Sequence, residues 1–205
     1  NKLSAMMAAA TATVNYARAG KVVLRVGVPA ALGALLCSTL GALTLTALDE
    51  TTVRILVLCC IPVAAVFTLR KPKPREGKER SAKATFLLSM LIGGVVGFYD
   101  GLIGPGTGTF LILLFLQGFR MEAVEAGGTA KLTNLASNFA ALVSLIATGN
   151  VLFLLGIPAG ACGMLGAFLG SKLTIRKGGK LIRGMMFAVL ALLLLKILYD
   201  LVFPG

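Results

Sequence analysis

Two lysines stand among apolar neighbours, Lys2 in NKLSAMMAAA and Lys131 in GGTAKLTNLA. An ammonium group on an apolar membrane helix lines a cavity, finds a partner or snorkels to an interface. Two such groups at equivalent positions of a repeat would attract an anion. The run Gly104-Pro105-Gly106-Thr107-Gly108-Thr109 precedes the apolar segment FLILLFL. A helix beginning there presents unpaired amides and partial positive charge, which favour anions. Gly106 and Gly108 would let a solute approach the backbone, and Thr107 and Thr109 would add hydroxyl donors. The other reading of the run is a tight bend that lets helices pack closely. Asn134, Ser137 and Asn138 follow Lys131 at helical spacing, for substrate contact or for hydrogen bonds between helices. Asp100, the acid at the start of the glycine-rich bend, is a candidate for proton coupling, for pairing with a lysine or for capping a turn. The candidate substrate set is therefore Lys2, Lys131, Gly106, Thr107, Gly108, Thr109, Asn134 and Asn138, with Asp100 for coupling.

Other chemistries find no residues. The chain has no histidine, which removes His-dependent triads and His metal sites. Cys37, Cys59, Cys60 and Cys162 lack metal-ligand spacing, and adjacent cysteines make a poor disulfide. They read as small packing residues. No GxxxxGK[ST] motif is present, so no ATPase is built in. No metal, no cofactor and no enzymatic activity are expected.

The elements that must position these groups are membrane helices. Of 205 residues, 57% are hydrophobic and 14% charged, against roughly a quarter charged in a soluble domain. Mean hydropathy is +0.91. A water-soluble fold of this size has no room to hide so much apolar side chain, and disorder needs the opposite composition. The class is an all-α polytopic membrane protein in a lipid bilayer.

The net charge of +12 resembles a nucleic-acid signal, but its distribution argues otherwise. Arg18, Lys21 and Arg25 form one cluster, seven basic residues of 70–83 a second, and Lys172, Arg176, Lys177, Lys180 and Arg183 a third. Apolar stretches separate them. This is the pattern of cytoplasmic loops, and no nucleic-acid partner is expected.

Spans are expected at 3–18, 22–43, 53–69, 129–148, 150–171 and 181–203, each near the length a bilayer requires. Gly20 and Gly149-Asn150 mark tight turns. Residues 70–83, RKPKPREGKERSAK, form a solvated linker between units 1–69 and 84–205. Segment 84–118 is apolar at its ends and breaks at Asp100–Gly108. If it crossed once, the basic 172–180 loop would lie outside. If it dips in and returns as a re-entrant hairpin, all three basic clusters lie inside. The hairpin is the expectation. Lys196 and Asp200, one turn apart, read as an interfacial ion pair.

The two units match without gaps at an offset of 129, with 13 identities among residues 2–54, among them Lys2/Lys131, Gly20/Gly149, Pro29/Pro158 and Gly41/Gly170. Composition alone gives roughly one match in ten. Each repeat would hold a hairpin and three crossings. An odd number of crossings inverts the second copy, which is a transporter architecture with its site near the midplane. The first copy's hairpin would lie before residue 1, so the amino-terminal part is expected to be missing from this chain.

The hairpin GFYDGLIGPGTGTF, followed by GGTAKLTNLASNFAAL, resembles the signature of the TauE/SafE sulfite-exporter-like transporter family, and NKLSAMMAAATATVNYARAGKV resembles its first-half counterpart. In that family the latter usually follows a Thr and a glycine-rich hairpin, neither of which is present here. The resemblance covers nearly all of the chain. It implies a plasma-membrane carrier of small sulfur-containing or organic anions, with sulfite and sulfonates among them, working as a secondary transporter and exporter by alternating access. A passive anion channel and a non-transporting membrane subunit are the alternatives, and a homo-oligomeric state stays open.

Overall fold

The computed structural model describes residues 1–49 and 81–178, with isolated positions 52, 55, 184, 188 and 192. The expected spans 53–69 and 181–203, the 70–80 part of the linker, and the Lys196–Asp200 pair lie outside the described residues. Among the described residues six helices are delimited: α1 (Lys2–Arg18), α2 (Leu24–Ala47), α3 (Ala82–Leu102), α4 (Thr107–Phe119), α5 (Ala123–Ala147) and α6 (Phe153–Lys177). α2, α3, α5 and α6 are long and apolar enough to cross a membrane. The chain is a multi-pass helical membrane protein. Leu152, just before α6, and Leu154, Leu155, Leu165 and Leu169 along it are largely exposed, a surface that suits lipid rather than water.

Small residues set the closest approach. α3 lies along α2 in the same direction, with Ala30 against Gly93, Ala34 against Gly97 and Ser38 against Gly101. A methyl group at Gly93 would run into the Ala30 carbonyl, and one at Gly33 into the Met90 carbonyl. Lipid offers no hydrophobic drive between helices, so association rests on this fit and on hydrogen bonds. On the other side, Gly156 and Gly160 of α6 receive Leu3 and Met7 of α1. Asn15 Nδ2 donates to Ser171 Oγ at 2.8 Å.

Direction follows from these contacts. Gly27 meets Leu132 and Thr129, and Ser38 Oγ donates to the Ser137 carbonyl at 2.7 Å, so α2 and α5 run together. Tyr16 packs on Gly128 while Lys2 and Leu145 share a cleft, so α1 opposes α5. Leu3 on Gly156 and Asn15 beside Ser171 make α1 and α6 parallel. Arg18, Lys21, Arg25, Lys83, Arg120, Arg176 and Lys177 thereby gather at one end of the bundle, where Lys21 also reaches Glu122 at 3.7 Å.

Helix ends repeat at the offset of 129. α1 and α5 end at Arg18 and Ala147, and α2 and α6 begin at Leu24 and Phe153. Gly20 and Gly149 take φ of +66° and +73°, a region open to glycine without strain. Lys21 N donates to the Tyr16 carbonyl, and Asn150 N to that of Leu145.

Segment 82–119 folds back on itself. Gly118, late in α4, lies beside Leu88 and Ile92, early in α3, and the Tyr99 and Phe110 rings meet edge to face at 5.5 Å. Ile92, Val96, Leu111 and Phe115 form the seam, packed with Val26 and Ala130. The bend uses Gly104 (φ +92°) and Gly106 (φ +85°), closed by Tyr99 Oη donating to the Pro105 carbonyl at 2.6 Å.

The α2–α3 seam is tested by Gly93→Ala. Overpacking of this kind costs on the order of 1–3 kcal/mol, so thermal unfolding in detergent should shift down by several degrees. Gly166→Ala, where no described atom lies within 4 Å, should leave the transition where it is.

Candidate functional site

Asp100 sits in the last turn of α3, 3% exposed, and four side chains from three other helices converge on it. Lys2 Nζ approaches Oδ1 at 3.1 Å and also donates to the Asp100 carbonyl. Thr107 Oγ1, at the start of α4, lies 3.0 Å from Oδ1. Ser137 Oγ donates to Oδ2, and Asn138 Nδ2 approaches it at 3.2 Å. The Asn138 amide is held in turn by the Asn134 carbonyl at 2.7 Å and by Asn134 Oδ1 at 3.0 Å. The Thr107 hydroxyl also reaches the Gly104 carbonyl at 2.6 Å. Gly104 is glycine for a local reason: a side chain there would press on the Lys2 ammonium and the Asp100 carboxylate.

The sequence places these groups simply. Lys2 is the first residue of α1, and Asp100 follows the glycine face of α3. Ser137 and Asn138 lie on the buried face of α5. Ser38 and Ser137 each lie 14 residues into their helices, about 20 Å from the basic end at 1.5 Å per residue. The cluster is therefore well inside a bilayer of roughly 30 Å. Burying two opposite charges there is costly unless each is paired and its remaining sites are hydrogen-bonded; Asp100 meets both conditions, and Lys2 is paired with two of its three donors on Asp100.

Lys131 stands apart. A capping box between Glu122 and Glu125 starts α5 at Ala123, which carries Lys131 two full turns into the helix, as the acids before it allow. It is half-buried, on the face that bears Asn134 and Asn138. Among the described residues it makes no hydrogen bond or ion pair. Gly106 caps α4, Thr109 lies one turn on, and no described atom would meet a side chain at Gly108. The structure thus draws Lys2, Thr107, Asn134 and Asn138 into the Asp100 cluster, and leaves Lys131, Gly106, Gly108 and Thr109 outside it. Asp100 lies within α3 and does not cap the turn. Ser137, named in sequence only as part of a polar face, is a direct partner of the carboxylate. The same face of α1 carries Ala5, Ala8 and Ala9, so one polar face matches one buried acid.

Beside Lys2 lies a cleft of about 360 Å³ at the end remote from the basic residues, lined by Ser4, Leu142, Leu145, Asn150 and Gly156 among others. Among the described residues no group of His, Cys, Asp and Glu is placed to hold a metal ion.

The family model described as Sulfite exporter TauE/SafE matches residues 1–197. A probable membrane transporter protein, ORF9, of Sinorhizobium sp. is 33% identical over 98% of this chain and 77% of its own length. A probable membrane transporter protein of Haemophilus influenzae is 31% identical over 98% of this chain and 78% of its own. The probable membrane transporter protein YfcA of Escherichia coli K12 is 36% identical over 71% of this chain and 53% of its own. No solved structure matches the chain.

Hydrogen bonds to a charged group are worth about 1.5–3 kcal/mol each. Ser137→Ala and Asn138→Leu should therefore each lower the unfolding temperature in detergent clearly. Thr109→Val, whose hydroxyl makes no hydrogen bond among the described residues, should not. Equal transitions for all three would refute the cluster.

Proposed function

The chain belongs to the TauE/SafE sulfite exporter family and is a membrane transporter, and from that premise we propose that it carries a small anion by alternating access and binds it at Lys131. The observation that carries this reading is the half-buried Lys131 ammonium, inside α5 and without a hydrogen bond or ion pair among the described residues. The amino end of α4 supplies the second element: Gly106 and Gly108 leave its backbone approachable, and Thr107 and Thr109 stand beside it. Asn134 is the adjoining polar contact on α5.

The inverted-repeat reading gives the motion. Residues equivalent at the offset of 129 lie on helices that run in opposite directions, α1 against α5, which supports two copies related by an axis in the membrane plane. Rocking of one copy against the other would open the Lys131 region to each side in turn. The gathered basic end is the cytoplasmic side of the plasma membrane in this reading. The cargo is a small sulfur-containing or organic anion such as sulfite or a sulfonate, moved outward. Asp100 is the acid through which proton coupling would run, by release from Lys2. Lys2 is then a partner of Asp100 in the state described and a substrate ligand only when that pair opens.

The test is saturable flux and counterflow in liposomes. Removing a charge-assisted contact costs about tenfold or more in binding, so Lys131→Ala should lose flux by at least that factor. Thr107→Val should weaken it as well, with both variants expressed normally. Unchanged flux in both variants would remove the site. Large unitary currents without counterflow would make the protein a channel, and absence of all flux would make it a non-transporting subunit.

A further inference from the structure

We infer that the site accepts a singly charged oxyanion and discriminates against doubly charged ones, because Asp100 has already consumed one of the two lysine charges. The inference rests on the anion-site reading of Lys131 and adds the valence of the cargo.

Buried charge in the site has to balance. Lys2 and Asp100 are paired in the cluster, and Lys131 stands apart from them on the face of α5 that bears Asn134 and Asn138. Lys2 and Asp100 form an ion pair at 3.1 Å, both almost fully enclosed, and cancel. Lys131 is left with one positive charge. The α4 amino end adds only partial charge, which helps an anion without changing the integer balance.

An anion of charge −1 brings the occupied site to neutrality. One of charge −2 leaves a net negative charge enclosed in lipid beside the Asp100 carboxylate, and unpaired buried charge is penalised heavily. The two lysines, equivalent in the repeat, thus have different work. Lys2 holds the hairpin and silences Asp100, while Lys131 meets the cargo. Among sulfur oxyanions the balance favours a sulfonate or hydrogensulfite over sulfate or fully ionised sulfite. It also assigns Asp100 a part in selectivity, since replacing it with a neutral residue leaves two uncompensated ammonium groups.

The experiment uses the full-length protein and two tetrahedral probes of fixed valence, methanesulfonate (−1) and sulfate (−2). Each is titrated at constant ionic strength while thermal unfolding is followed. Only stabilisation that disappears in Lys131→Gln is counted, because sulfate also stabilises proteins by exclusion from their surface. In the native protein methanesulfonate should reach half-effect at about a tenfold lower concentration than sulfate, a difference of about 1.4 kcal/mol. Asp100→Asn should shift that ratio toward sulfate by about the same factor. Sulfate acting at equal or lower concentration in the native protein overturns the valence inference and leaves the anion site standing. A ratio unmoved by Asp100→Asn does the same. If neither probe acts through Lys131, the anion site itself fails and the inference falls with it. Where Asp100→Asn does not reach the membrane, the native ratio alone decides.

Discussion

A single ionic contact in the membrane interior organises this protein. Lys2, at the beginning of the first described helix, meets Asp100, at the end of α3, across 98 residues of chain. In water such a contact adds little. In lipid neither charge tolerates separation, because an unpaired charge there has nothing to solvate it. The contact therefore fixes the tip of the hairpin against α1. It also dictates the rest of the surroundings: Gly104 must be glycine to admit the ammonium, and Thr107, Ser137 and Asn138 must supply donors to the remaining carboxylate positions.

The packing serves the same end. Glycines on α2 and α3 bring two backbones together closely enough that Asp100 arrives at the level of Ser38 and Ser137. The α5 capping box sets the depth of everything that follows on that helix, Lys131 first and Ser137 and Asn138 about 10 Å further along. A polar cluster and a separate ammonium then lie on one continuous face, held by elements that have little freedom to shift.

Much of this was legible in the sequence. Gly20 and Gly149 announced their turns, and Pro105 with the glycines of 104–108 announced the fold-back. Charge placement anticipated that the described basic residues of the three clusters gather at one end. The depth of Lys131 followed from the acids at 122 and 125. Pairing of Asp100 with a lysine was foreseen, but which lysine was not legible, since helical spacing says which residues share a face and not which faces meet. Repeat equivalence even pointed away from it, by giving Lys2 and Lys131 the same role. The signal that separates them is an asymmetry: α5 carries Asn134, Ser137 and Asn138 where α1 carries Ala5, Ala8 and Ala9. Hydrogen-bond donors on only one copy imply an acceptor used only once. Both ends of α3 were legible as well, from the end of the basic linker at 83 and the break at 100–108, and the helix Ala82–Leu102 is long enough by itself to cross a membrane.

The most direct trial of the central contact is a double-mutant cycle on Lys2→Gln and Asp100→Asn, read by unfolding of the purified full-length protein in detergent. Each single substitution strands a buried charge, at about 3–5 kcal/mol. The double substitution removes both charges and should be markedly more stable than either single variant. Strictly additive losses would mean that Lys2 and Asp100 do not sense each other, and the account built on their pairing would be wrong.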